Sequence, residues 1–258
     1  MNEIVKLTIL DGIAWVIFDN PPMNALGDEG KAVLLKTVEH LEEAKWDIHT
    51  VVFTGEGRAF IAGSDIRKFL ELDSQSATKK SFKTKKIFEK IENFERPTIA
   101  AINGYCLGAG LELSLCCDIR IAADNAILGC PEVTLGIMPG VGATQRLPRL
   151  IGLGKSKELI LTGRRIKAEE ALAIGLVEKI APADELRAEA KNMANGIGTK
   201  GPLAVAAAKK AINQGWDLNL KEGLALESKI WGSLFDTNDQ KEGAKAFLEK
   251  REPVFKFR

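Results

Sequence analysis

The chain has 258 residues, 45% of them hydrophobic and interspersed with charge, enough for one large domain or a core with an appendage. Its 36 basic and 35 acidic side chains nearly cancel, which excludes the global field of a nucleic-acid or anionic-membrane binder. No apolar run reaches membrane-spanning length, and neither a disulfide framework nor a zinc site is expected, because Cys106, Cys116, Cys117 and Cys130 form no CxxC pair and His40 and His49 lie far from them.

From the N-terminus, acid and base come early (Glu3, Lys6) without a secretory or transit pattern, so a cytoplasmic protein is expected. Two β-rich runs, 5–10 and 13–18, flank Asp11-Gly12, a strong hairpin signal. Pro21, Pro22 and Gly27 mark a loop. Val33, Leu34, Val38 and Leu41 recur at helical spacing and predict a helix over 28–45. A short strand is expected over 50–54. Residues 71–81 are rich in Ser, Thr and Lys and predict a mobile surface loop, with a helix over 82–94. Residues 97–102 predict a buried strand, 111–117 a buried helix and 118–123 another strand. From Ala143 onward the spacing predicts helices over 143–151, 154–162, 167–174, 184–196, 202–216, 219–234 and 239–250, with a short strand over 176–180. The fold class is therefore α/β, a mixed core (1–195) followed by a helical region (196–258).

Three glycine-bearing stretches stand out. Phe60-Ile61-Ala62-Gly63-Ser64-Asp65-Ile66 leaves the Ser64 N–H available beside a residue permissive in conformation, or is an ordinary helix-capping turn. Gly104-Tyr105-Cys106-Leu107-Gly108-Ala109-Gly110 opens a helix, whose first N–H groups lack intrahelical partners, so an oxygen can reach the Ala109 N–H. The alternative is close helix-strand packing. These glycines fit neither the dinucleotide fingerprint nor a P-loop. Gly136 to Ala143 is a structural turn or a wall of an acyl pocket.

Glu112 and Glu132 lie in sequence that reads as interior, where a carboxylate is costly. A helix-dipole contact would account for Glu112, and a salt bridge to Arg146 for Glu132. Together, beside two backbone donors, they point to acid/base chemistry on a carbonyl compound. No nucleophilic triad is visible.

These stretches resemble the crotonase (enoyl-CoA hydratase/isomerase) family, from Asn20-Pro21-Pro22-Met23-Asn24-Ala25-Leu26 to Phe247-Leu248-Glu249-Lys250-Arg251, most densely from Asn103 to Leu147. The resemblance implies a spiral of β-β-α turns, a C-terminal helical trimerisation region, trimers or hexamers, and an acyl-CoA thioester substrate. It implies that the N–H groups of Ser64 and Ala109 hold the thioester oxygen, although family hydratases often carry Gly at the second position. It also implies Glu112 and Glu132 as the hydratase pair. Glu112 would chiefly activate water and Glu132 deliver a proton to C2. Ala62, Asp65, Ile66, Arg67 and Gly108 would meet the CoA moiety or substrate, and Phe247 and Lys250 would reach the nucleotide of CoA, often in a neighbouring subunit. No metal or redox cofactor is expected, since coenzyme A arrives with the substrate. The expected activity is hydration of a short- or medium-chain 2-enoyl-CoA. Isomerisation, a specialised enoyl thioester, or a non-catalytic acyl-CoA- or RNA-binding oligomer are the alternatives.

Overall fold

The computed structural model describes residues 4–44 and 48–256. The first hairpin forms as expected: β1 (Val5–Leu10) pairs antiparallel with β2 (Ile13–Phe18), Val5 opposite Phe18. Asp11 and Gly12 both take positive φ (53° and 75°), the conformation of a two-residue turn whose twist matches the strands. Helix α1 (Asp28–Glu43) then buries Leu34, Val38 and Leu41; Lys45, at its expected end, lies outside the described residues, as does Glu3.

The chain then winds into a spiral. Strands β3 (Thr50–Gly55), β5 (Thr98–Ile102) and β7 (Ile119–Ala123) are each succeeded by a shorter strand, β4 (Ala59–Ala62), β6 (Tyr105–Leu107) and β8 (Ile127–Gly129). The longer strands join β1, β2 and β10 (Lys179–Ala181) in one sheet, in the order β1-β2-β3-β5-β7-β10. The shorter ones stack as a second sheet, β4-β6-β8-β9, with β9 at Arg165–Lys167. Within each sheet the repeating strands run parallel. The long strands are mostly apolar and almost wholly buried (Val52, Ile99, Ala100 and Ile121 fully so), with Thr50, Thr54, Thr98 and Arg120 as buried polar exceptions, as expected of parallel strands covered on both faces.

Helix α2 (Ser74–Glu92) comes after β4, and α3 (Ala109–Ser114) after β6. Residues 74–81 are thus helical rather than a mobile loop. Asp73 and Ser76 form a reciprocal capping box, which satisfies the first orphan N–H groups. The opening turns face solvent, and burial begins only at Thr84, so no apolar period announces them. Val133-Thr134-Leu135, of β-like composition, belongs to a 3-10 turn over Pro131–Leu135 that Pro131 initiates.

The remaining helices are α4 (Ala143–Ile151), α5 (Leu153–Thr162), α6 (Ala168–Ala173), α7 (Leu186–Gly198), α8 (Pro202–Gly215), α9 (Leu220–Leu234) and α10 (Asn238–Glu249). Each agrees with the sequence reading to within two residues at either end. Leu186, Ala190 and Ala194 of α7 are buried, whereas α8 and α9 bury no residue fully. The change in burial therefore falls between α7 and α8, a few residues beyond position 195. Helix α8 still docks on the core through Lys209, whose Nζ lies 2.7 Å from Asp118, and Asn213, which donates to the Glu92 carbonyl at 3.1 Å.

Candidate active site

Strand register builds the site. Ala62, the last residue of β4, pairs with Leu107, the last of β6, which pairs in turn with Gly129, the last of β8. Three parallel strands therefore end side by side, and the segments leaving them are juxtaposed. Ligands in such sheets gather outside the carboxyl ends of strands. After β4 comes Gly63-Ser64, after β6 comes Gly108-Ala109, and after β8 comes Cys130-Pro131-Glu132.

Two of these glycines are required. Gly63 has φ +101° and Gly108 φ +52° with ψ −120°, a combination that residues with a Cβ avoid. A Cβ at Gly108 would lie 3.7 Å from the Gly63 Cα and 2.9 Å from Glu132 Oε1. The two turns thus touch, and the Glu132 carboxyl sits against them. The first turn is clamped from below: Leu26 N–H donates to the Gly63 carbonyl at 2.9 Å, and Ala62 N–H to the Met23 carbonyl at 3.1 Å. Asn24, 4% exposed, ties the same segment to the carbonyls of Glu56 and Ala59. Among the described residues neither the Ser64 nor the Ala109 N–H has an acceptor. Ala109 is the first residue of α3, where the helix itself offers none.

Glu112 is 2% exposed. It lies in the first turn of α3, but its carboxylate answers to another segment. Its Oε1 accepts from Val141 N–H at 2.7 Å and Ala143 N–H at 3.1 Å. The glycine-rich stretch before α4 therefore cradles a carboxylate. Burial pushes the Glu112 carboxyl above its ordinary range, opposed by the N–H groups of Ala143, Val141 and Gly142 and by the charge of Arg146.

Glu132 is more exceptional. Its Oε2 is buried and has no hydrogen-bond partner among the described residues. Burial first, and the negative charge of Glu112 in addition, push its carboxyl up to about 7, while its own backbone N–H pulls the other way. The expected salt bridge to Arg146 does not form, because that guanidinium forks onto Glu92 (2.8 and 2.6 Å). A half-buried carboxyl with one buried oxygen unsatisfied departs from the rule that buried polar atoms are paired, which makes Glu132 a candidate for chemistry.

The other expected contacts divide. Ala62, Asp65, Ile66 and Arg67 lie along the first turn and its exit, with Ile66 and Arg67 exposed. There Arg67 grips Asp65 bidentately (2.9 and 2.6 Å) and holds that carboxyl down at about 2. Gly108 is inside the cluster. Phe247 and Lys250, at the end of α10, take no part in the contacts that define it; Phe247 is 83% exposed and Lys250 adopts a left-handed conformation as the helix cap. The amides of Val141 and Ala143 escaped side-chain reasoning, and only the glycines beside them, Gly140 and Gly142, hinted at a backbone cradle.

Residues 8–258 match the family model described as enoyl-CoA hydratase/isomerase. The chain is 43% identical to the short-chain-enoyl-CoA hydratase of Clostridium acetobutylicum over 241 residues, 93% of this chain and 92% of that one. It is 44% identical to the crotonyl-CoA hydratase of Syntrophomonas wolfei over 93% of each chain. The crystal structure of enoyl-CoA hydratase from Bacillus anthracis superposes with a TM-score of 0.95 at 39% identity, covering 99% of this chain and all of that one.

Proposed function

Given that this chain belongs to the enoyl-CoA hydratase/isomerase family, we propose that it adds water across the C2=C3 bond of a short- or medium-chain 2-enoyl-CoA to give the 3-hydroxyacyl-CoA. It is a hydro-lyase. The observation that carries the reading is the half-buried Glu132 carboxyl, its Oε2 without a partner, against the Gly108 turn, beside a second carboxyl and two unpaired amides.

In the proposed mechanism the thioester oxygen accepts from the Ser64 and Ala109 N–H groups. The Glu112 carboxylate, fixed through one oxygen by the 141 and 143 amides, takes a proton from water. The hydroxide bonds to C3, and the π electrons move onto the thioester oxygen as an enolate, where preorganised donors contribute most. Glu132, protonated near neutral pH, gives its proton to C2 as the enolate collapses. The proton gained by Glu112 then replaces the one lost by Glu132, so atoms and charge balance without a metal or redox group. Coenzyme A enters only as part of the substrate, and the exposed Arg67 beside the first turn supports contact with its phosphates.

The assay is loss of the conjugated-thioester absorbance of crotonyl-CoA. Turnover with formation of 3-hydroxybutyryl-CoA is the expected outcome. An unchanged absorbance with this and longer straight-chain enoyl thioesters would remove the reading.

A homotrimer, or a hexamer of two trimers, is part of the same proposal. Ile212, Trp216, Leu220 and Trp231 on α8 and α9 and their connection are each more than 60% exposed, and several large apolar side chains left to water on two packed helices support an association surface. A cleft of about 980 Å³ between α8 and the core gives a second copy a place to pack. Light scattering should return a mass near three or six times 28.1 kDa; a monomer would contradict it.

A further inference from the structure

The segment before α4 turns successive backbone N–H groups, those of Val141, Gly142 and Ala143, toward the Glu112 carboxyl, the arrangement of an anion-binding nest. Glycines at 140 and 142 give this backbone more freedom than any other residue would, so it needs bracing from outside. Its carbonyls carry the braces. The Ser81 hydroxyl, on α2, donates to the Gly140 carbonyl at 2.6 Å. The Arg146 guanidinium, one turn into α4, donates through Nη1 to the Val141 carbonyl at 3.3 Å.

Arg146 reaches that carbonyl through the space that Gly142 leaves. Gly142 has φ +133°, and a Cβ there would lie 1.9 Å from Arg146 Nη1. On its other edge the guanidinium forks onto Glu92, the last residue of α2, with Nε at 2.8 Å and Nη2 at 2.6 Å. Asn213 of α8 donates to the Glu92 carbonyl at 3.1 Å and ties that helix end down. All three guanidinium nitrogens are thus engaged, two on a carboxylate and the third on the nest. C=O and N–H point to opposite sides of a trans peptide. Holding the Val141 carbonyl on Arg146 therefore turns the Gly142 N–H away from the guanidinium and toward Glu112. Burial raises the Glu112 carboxyl, and after the Ala143, Val141 and Gly142 amides the charge of Arg146 opposes that rise. A partly exposed ion pair that merely tied α2 to α4 would add little stability, and it would need neither the glycine nor the carbonyl.

We propose that Arg146 is a positioning residue for the hydration step: braced on Glu92, it fixes the Val141–Gly142 peptide so that the nest holds Glu112 where it can take a proton from water. This rests on the hydratase reading. With Oε1 fixed by the amides, the second carboxylate oxygen is left to the water, and a misplacement of about 1 Å at such a group costs roughly 100-fold in rate. The other charged groups that act on Glu112 are Lys31 of α1 and Glu132 after β8. Glu92 and Glu89 of α2 act on Arg146. Burial keeps the Cys116 and Cys130 thiols protonated. All of these stay in place when Arg146 alone is changed.

The test measures kcat, KM and the pH dependence of kcat with crotonyl-CoA in the wild type, Arg146→Lys and Arg146→Gln, and repeats both changes on Glu112→Gln. Lysine keeps the charge and a pair to Glu92, but one ammonium replaces the planar fork, so kcat should fall about 10-fold with KM within about threefold. Glutamine removes the charge as well, and kcat should fall about 100-fold. Its acid limb, where Glu112 must be ionised, should move up by about one pH unit, because a nearby positive charge favours the ionised carboxyl. On Glu112→Gln neither change should cost more than about a further twofold, since Arg146 acts through a base already lost. Wild-type kcat in Arg146→Lys, an unmoved acid limb in Arg146→Gln, or losses that add in full on Glu112→Gln would each overturn the assignment and leave the hydratase reading intact. Should Arg146→Gln fail to fold, Arg146→Lys decides alone by the same criterion. Failure of the wild type to hydrate crotonyl-CoA would overturn both.

Discussion

Glu112→Gln and Glu132→Gln are each expected to lower kcat for enoyl-CoA hydration by about 10²- to 10⁴-fold, the usual contribution of a positioned acid or base. That is roughly 3–5 kcal/mol of transition-state stabilisation. Glutamine keeps the shape of the side chain. At position 112 its carbonyl oxygen can still accept from Val141 and Ala143, so the cradle and the fold survive while the base is lost. At position 132 the amide occupies the same place against Gly108 but has no carboxyl proton for C2. KM should move little, because the thioester oxygen remains with the Ser64 and Ala109 amides. The double variant should be scarcely worse than either single one, since groups that act as a unit lose their joint effect at the first removal. Steady-state rates with crotonyl-CoA decide the matter. Single variants retaining more than a tenth of wild-type kcat would show that these carboxyls do not carry the protons.

How much of this was legible in the sequence depends on how local the cause is. The Asp11-Gly12 turn is coded by two adjacent residues, and the C-terminal helices by their own apolar spacing, so both were readable. Strands β6 and β8 are three residues long, too short for a period to show. They are strands only because β4 and β9 lie alongside, a fact of topology. The site divides in the same way. Glu112 and Glu132 declared themselves as carboxylates in apolar surroundings, and Gly63 and Gly108 as glycines before helix-like starts. The cradle of Glu112 did not, because backbone amides of Val141 and Ala143 carry no side-chain signature.

Glu132→Gln should also change how stability depends on pH, in the direction opposite to its effect on turnover. In the folded chain the Glu132 carboxyl is raised from an ordinary 4.5 to about 7. Below pH 4.5 the folded and unfolded chains both carry the proton, and the group contributes no pH dependence. Between 4.5 and about 7 the unfolded chain releases its proton while the folded chain retains it. The unfolded state then binds fewer protons, so stability falls as pH rises across that window, and levels off above it. At about 1.4 kcal/mol for each tenfold change in proton affinity the loss is at most roughly 3 kcal/mol. Solvent at the open side of this partly buried group reduces it to about 1–2 kcal/mol. Glutamine cannot ionise, so the variant should gain that amount relative to wild type between pH 4.5 and 8, a few degrees in Tm for a chain of this size. Thermal or urea unfolding of both proteins at the two pH values measures the difference. A gap that stays constant with pH would mean that the folded and unfolded chains bind this proton equally, in which case Glu132 is ionised at neutral pH and could not arrive holding the proton that C2 requires. Turnover lost and alkaline stability gained at one residue would identify that carboxyl as strain kept for catalysis rather than a structural charge.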